Sequence, residues 1–342
     1  MHCQLFIPDF FAAAGAPAGD RLDALETLTA RGRRRRCTAV SSEAWLLARF
    51  GIAKQRDWPV APYSLLADGG APERHFWMRA DPVHLRVGRD SVALVDSAAF
   101  DISRAEAEAL VETLNRHFGD ALLLYPLRPE RWYARLGQAP DMEATPPRAV
   151  RGRAIEAHLP AGPDAMRFDA LMNEAQMALH EHPVNTEREA RGAPTINSIW
   201  FWGGGVFGAP RSRPFDTVIA NDRLAHGLAL AAGLRVRVLP KSAQALLAAG
   251  EDEGTTLVVL DAMQDEAGYA DEARLDELRA ALERDWFAPL LGALRSGRIG
   301  MLTLHLSGAD SLLEVEVARS DLRYFWRLRK PLAAYTASGG RS

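Results

Sequence analysis

Apolar runs that do not alternate, set between helical patterns, constrain this 342-residue chain more than any other feature. Residues 256–260 (TLVVL) have no polar face at all, and residues 198–202 (SIWFW) and 300–306 (GMLTLHL) are nearly as apolar. Such strands cannot leave one side in water, so they belong inside a sheet covered on both faces, as in parallel α/β folds. Helical patterns at 221–232 and 272–294 separate them, and residues 234–239 add another strand. At the start, residues 4–8 read as a short buried strand with Asp9 at its C-terminal end. Helices follow at 22–30 and 42–50, and the Pro-, Asp- and Gly-rich residues 57–73 read as a connector.

The middle of the chain has a different texture. Residues 83–95 alternate around Gly88, Arg89 and Asp90, a hairpin signal. Ser103 and Glu106 have capping-box spacing and open a helix carrying Leu110 and Leu114. Strands at 121–125 and 132–136 complete a small α+β unit that closes at Thr145, Pro146 and Pro147. Asp164 then stands where it can cap a helix with Phe168, Leu171, Met172, Ala175 and Leu179 on one face. The expected architecture is a mostly parallel sheet with helices on both faces, built from residues 1–72 and 150–342. A smaller α+β domain, residues 75–148, is inserted into it.

With 41 basic and 44 acidic residues the chain has no general field for nucleic acid or anionic membrane. The local exception is Arg31 and Arg33 to Arg36, read as a solvated helix end because no aromatic residues interleave with it. Two cysteines, Cys3 and Cys37, make neither a disulfide framework nor a zinc cluster and are expected to be reduced. The N-terminal apolar run is broken by Pro8 and Asp9, unlike a signal peptide, and no stretch reaches the ~20 apolar residues of a membrane span. The expectation is a cytoplasmic protein with no membrane partner.

The sequence HPVN at 182–185, with Arg188 and Gly192, followed by NSIWFWGGG at 197–205, resembles a passage of archaeal-type, cofactor-independent phosphoglycerate mutases of the alkaline phosphatase superfamily. MRAD at 78–81 resembles that family's "FRcN", ISRAEA at 102–107 its "IsteEA", and DEAGY at 265–269 its "DEAGH". A narrower resemblance, carried by HEHPVNTEREARG, NSIWFWGGG and RADPVHLR, is to bacterial RpfE-type regulatory proteins. The resemblance implies an alkaline phosphatase-like fold. It also implies two divalent metals held by Asp and His, and a Ser or Thr that transiently accepts the phosphoryl group.

Against that pattern Asp9 matches the Asp of "PDG", but Phe10 replaces its Gly. Asp265 matches "DEAGH", but Tyr269 replaces its His, and the "DHSTP" ligand pair is reduced to His305. No histidine follows His305, and the nucleophile segment is replaced by residues 20–26 (DRLDALE). The resemblance therefore implies a degenerate, non-catalytic relative with Asp9, Asp265 and His305 as vestigial metal positions and no cofactor. The alternative is an Mn-, Mg- or Zn-dependent mutase or phosphatase with a rearranged site. His182, Asn185, Arg188 and Arg191, with Gly203, Gly204 and Arg79, form either an anion pocket near the C-terminal edge of the sheet or a polar network that locks a loop. The expected partner is a small anionic ligand or a protein.

Overall fold

The computed structural model describes residues 1–11, 21–88, 91–151, 153–250, 254–266, 268–308 and 311–336. The chain forms two compact units, Met1–Leu46 with Ser212–Ser342, and Leu47–Arg211. In chain order the strands are β1 (His2–Phe11), β2 (Arg33–Thr38), β3 (Phe76–Val87), β4 (Val92–Asp96), β5 (Leu123–Arg128), β6 (Arg131–Leu136), β7 (Ser198–Val206), β8 (Thr217–Ile219), β9 (Arg235–Arg237), β10 (Thr255–Val259), β11 (Met301–Gly308) and β12 (Ser311–Ala318).

The first unit holds a seven-stranded sheet in the order β2-β12-β11-β1-β10-β8-β9. Strands β9, β8, β10, β1 and β11 run parallel, and β12 and β2 add antiparallel pairs at one edge. The apolar runs take the central places, as their lack of a polar face requires. Cys3, Leu5 and Ile7 face a core shared with the helices Asp23–Arg31, Glu272–Leu282 and Ala288–Ser296. Phe6 points to the other face and stacks on Trp45 at 4.0 Å. At Asp9 the backbone takes φ 55°, in the left-handed region, and the pairing of β1 with β11 shifts register between Ile7 and Phe11. The bulge resets the alternation, so Phe10 rejoins the core that Ile7 faces.

Arg31 ends the helix Asp23–Arg31, but the run Arg33 to Arg36 is not a helix end. It forms β2, an edge strand, because β12 places acids opposite it: Arg33 pairs with Glu316 and Arg35 with Glu314. Arg35 Nη2 lies 2.9 Å from Glu314 Oε1. Opposite charges across a strand pair contribute roughly 0.2–1 kcal/mol each, and a charged edge resists further pairing. Neither Cys3 nor Cys37 is in a disulfide.

The second unit is built on an antiparallel sheet in the order β4-β3-β6-β5, with β7 also paired to β3. The expected hairpin is β3–β4, with Val83 opposite Asp96 and Val87 opposite Val92; Arg89 and Asp90 of its turn lie outside the described residues. The Ser103–Glu106 capping box is formed on the helix Arg104–Phe118. Asp164 precedes the helix Ala165–Leu179 as expected, but its carboxylate accepts from Asp141 N at 2.6 Å instead of capping. Within the stretch expected as a connector, VAPYSLLA forms the helix Val60–Ala67, since Pro62 in the first turn costs no intrahelical bond.

One strand lies in a different sheet from the one expected. β7 pairs antiparallel with β3, Ala80 opposite Phe201 and Asp81 opposite Trp200, so it is not part of the parallel sheet. Gly203, Gly204 and Gly205 lie inside this strand, not beyond its end. They give room for side chains: a Cβ on Gly203 would meet Val60 at 2.9 Å, on Gly204 Phe76 at 2.9 Å, and on Gly205 Pro59 at 2.4 Å. No helix among the described residues is long and apolar enough to cross a membrane.

Packing against β7 makes Gly205 a sensitive position. Gly205→Ala is expected to destabilise the protein by about 1–3 kcal/mol through overpacking. Gly137→Ala, where a Cβ meets nothing within 4 Å, is expected to stay within about 0.5 kcal/mol of the parent. Urea midpoints of the two variants check the contrast.

Candidate functional site

His182, Asn185, Arg188 and Arg191 come together in the second unit, along the short helix Pro183–Ala190. His182 is its N-cap: Nδ1 accepts from Val184 N at 3.2 Å, which leaves the ring proton on Nε2, 3.1 Å from Thr113 Oγ1. Burial pushes this imidazole below its ordinary pKa. Asn185 is buried, donating to Leu179 O and Ile196 O, both at 2.9 Å, and accepting from Ile196 N at 2.8 Å. It ties the end of the preceding helix to the start of β7.

Arg188, 1% exposed, donates from Nε to Pro194 O at 2.6 Å and from Nη1 to Asp101 O and Glu106 Oε1, both at 3.0 Å. Arg191 Nη2 donates to the same Glu106 oxygen. Two guanidiniums thus converge on one carboxylate beside a cavity of about 430 Å³ lined by Phe100, Asp101, Ser103, Glu106, Arg188 and Arg191 among others. The anion they hold is the protein's own. Burial pushes the Glu106 carboxyl up, but bonds from Ser103, Arg188 and Arg191 outweigh it and hold the pKa at about 2.

Arg79 belongs to a separate network on β3. Its Nε and Nη2 donate to Asp81 Oδ1 at 3.0 and 2.5 Å, and its guanidinium lies 5.4 Å from the Tyr133 ring centre and 5.2 Å from that of Trp202. The other Asp81 oxygen accepts from Trp202 Nε1 at 2.7 Å. Burial pushes the Asp81 carboxyl up against the pull of Arg79 and Trp202. Beside it Asp68 accepts from Arg131 Nε at 2.8 Å and from the Tyr133 hydroxyl at 2.7 Å. Arg79 and Asp81, at i, i+2 in a strand, necessarily share a face, whereas Asp68, Arg131 and Tyr133 carry no signal along the chain that would join them to the pair.

The candidate metal positions all fall in the first unit. His305 is 1% exposed in the middle of β11, opposite Phe6 of β1 and Glu314 of β12. Its Nε2 lies 3.1 Å from Gln4 Oε1 and its Nδ1 3.2 Å from Glu314 Oε2, with the Trp45 ring 4.9 Å away. Asp9 lies three residues beyond Phe6 on β1, roughly 10 Å along the strand. The Asp9 backbone N donates to Ser307 Oγ at 2.9 Å. Asp265 is in the helix Ala262–Glu266, and its side chain lies outside the described residues. Among the described residues no group of three or more His, Cys, Asp or Glu is arranged to hold a metal ion.

Residues 72–185 match the family model described as 2,3-bisphosphoglycerate-independent phosphoglycerate mutase. The chain is similar to archaeal-type cofactor-independent phosphoglycerate mutases. The 2,3-bisphosphoglycerate-independent phosphoglycerate mutase of Methanosarcina barkeri is 35% identical over 151 residues, 41% of this chain and 37% of that protein. The mutase of Methanosarcina acetivorans is 28% identical over 239 residues, 64% of this chain and 58% of that protein. The chain thus spans 37% to 58% of the length of these relatives. Among solved structures, the PH0037 protein from Pyrococcus horikoshii superposes with a TM-score of 0.55 at 15% identity, over 93% of this chain and 87% of that one, a likeness of fold. The stretch matched by the family model lies wholly within the second unit, whereas Asp9, Asp265 and His305 lie in the first.

Three outcomes follow from the Glu106 cluster. Arg188→Ala is expected to cost about 3–5 kcal/mol by leaving a buried pair broken. Arg191→Ala, whose side chain is 54% exposed, is expected to cost under about 1 kcal/mol. Because the Glu106 pKa is depressed on folding, the stabilisation it supplies is complete above its ordinary 4.5 and is lost as pH falls through about 2. Glu106→Gln is therefore expected to be less stable at neutral pH and to show a flatter decline over that acid window. Urea midpoints at stepped pH test this, and an unchanged slope in the variant would remove Glu106 from the account.

Proposed function

We propose that this phosphoglycerate mutase-like chain is a non-catalytic protein with a ligand-binding, regulatory role, in line with its resemblance to RpfE-type proteins. The observation that carries the reading is the state of His305. A phosphoryl-transfer pair of cations needs several Asp and His side chains converging on each ion at about 2 Å. His305 instead lies buried inside the sheet, its Nε2 3.1 Å from Gln4 Oε1 and its Nδ1 3.2 Å from Glu314 Oε2.

The remaining parts of the chemistry support the same view. Tyr269, where the mutases carry a His ligand, is 43% exposed, and a phenol of ordinary pKa ~10 is a poor metal ligand at neutral pH. Thr27, the hydroxyl nearest the missing nucleophile segment, is buried in the helix Asp23–Arg31 and donates to Asp23 O at 2.6 Å. In this reading the ligand is a small carboxylate or phosphate. It enters the cavity beside Arg191 and exchanges with Glu106 for the two guanidiniums.

The purified protein is expected to carry no stoichiometric Mn, Mg or Zn and to show no phosphoglycerate mutase turnover above background with added metal. Turnover on the order of 1 s⁻¹ that Asp265→Ala abolishes would overturn the non-catalytic reading. Calorimetric titration with 3-phosphoglycerate and with inorganic phosphate, on wild type and Arg191→Ala, tests the cavity. Binding lost in the variant supports it, and no heat with either anion removes it.

A further inference from the structure

Nothing in the mutase similarity or in the proposed ligand site uses the surface formed by β2 and residues 319–330. All four arginines at 33–36 are exposed on the edge strand. The tertiary structure brings a second basic segment beside them: Arg31 Nη1 donates to Leu322 O at 2.9 Å, and Arg327 Nη1 donates back to Arg31 O at 2.9 Å. That segment reads RYFWRLRK at 323–330, and its apolar side chains face water. Phe325 is 76% exposed, Trp326 61% and Leu328 79%. Three large apolar side chains within four residues, ringed by Arg323, Arg327, Arg329 and Lys330, stand out on a chain of net charge −3.

We propose that this surface docks the protein on an anionic membrane, with Phe325, Trp326 and Leu328 entering the headgroup boundary and the arginines meeting lipid phosphates. Apolar side chains flanked by Lys and Arg are the physical signature of an interfacial contact, and basic residues near an anionic leaflet add to it. A single-stranded nucleic acid needs open ring faces for its bases. Here Arg327 lies 4.6 Å over the Tyr324 ring, and Trp326 is packed edge-to-face with Tyr324 and Phe325 at 5.2 and 5.3 Å. Leu328 offers no ring at all. A second copy of the chain would set arginine against arginine, so like-charge repulsion opposes self-pairing.

The test is cosedimentation of the full chain with vesicles of phosphatidylcholine alone and of phosphatidylcholine with phosphatidylglycerol. Binding is expected only to the anionic vesicles and is expected to weaken as salt rises, the Debye length falling from ~10 Å at 0.1 M. Arg33→Gln with Arg34→Gln is expected to weaken it about 25-fold, each basic residue at an anionic surface contributing roughly fivefold. Phe325→Ser with Leu328→Ser is expected to weaken it at least tenfold, about 0.8 kcal/mol being lost per CH₂ no longer buried. Unchanged thermal midpoints show that these surface variants remain folded. The proposal is overturned by no sedimentation with either vesicle, or by equal binding to both. It is equally overturned if a fluorescent oligouridine binds while vesicles do not, or if light scattering shows a dimer that the Phe325/Leu328 double variant dissolves without any vesicle binding.

Discussion

A strand that is apolar on both faces must have its backbone paired along both edges, because water can reach neither its side chains nor its peptide groups. Both units are organised around a strand held in that way. β1 lies between β10 and β11 in the first sheet. In the second, β3 pairs with β7 along one edge and with β6 and then β4 along the other. The glycines of β7 belong to this constraint, since Phe76, Pro59 and Val60 can approach only where no Cβ stands in the way.

The same rule, applied to charge, decides what the conspicuous side chains do. A buried guanidinium must be matched, and the matching carboxylates here come from the protein itself: Glu106 for Arg188, Asp81 for Arg79, Asp68 for Arg131. These arginines hold the fold of the second unit, which also contains the stretch matched by the phosphoglycerate mutase family model. At the edge of the first sheet the row Arg35, Glu314, His305 and Gln4 runs across four strands.

Much of the local structure was legible because its cause is local. Capping-box spacing identified the helix Arg104–Phe118, alternation identified the β3–β4 hairpin, and apolar continuity identified β10 and β11. His182, Asn185, Arg188 and Arg191 lie on a single short helix and its caps, so their nearness could be read along the chain. Their partners were not legible. Glu106 stands 82 residues before Arg188, and no pattern along the chain announces that pairing.

By itself the sequence determined the two textures of the chain and the α/β character of the first unit. These follow from hydrophobic period and residue identity, which need no fold to be read. Only the tertiary structure decided that β7 joins β3, that residues 33–36 form a strand, and that Leu322 and Arg327 meet Arg31 just before that strand. The physical reason is that strand pairing and charge pairing act between residues far apart in the chain. Glu314 and Glu316 had to be folded opposite Arg35 and Arg33 before an arginine run that reads as a solvated helix end became the edge of a sheet.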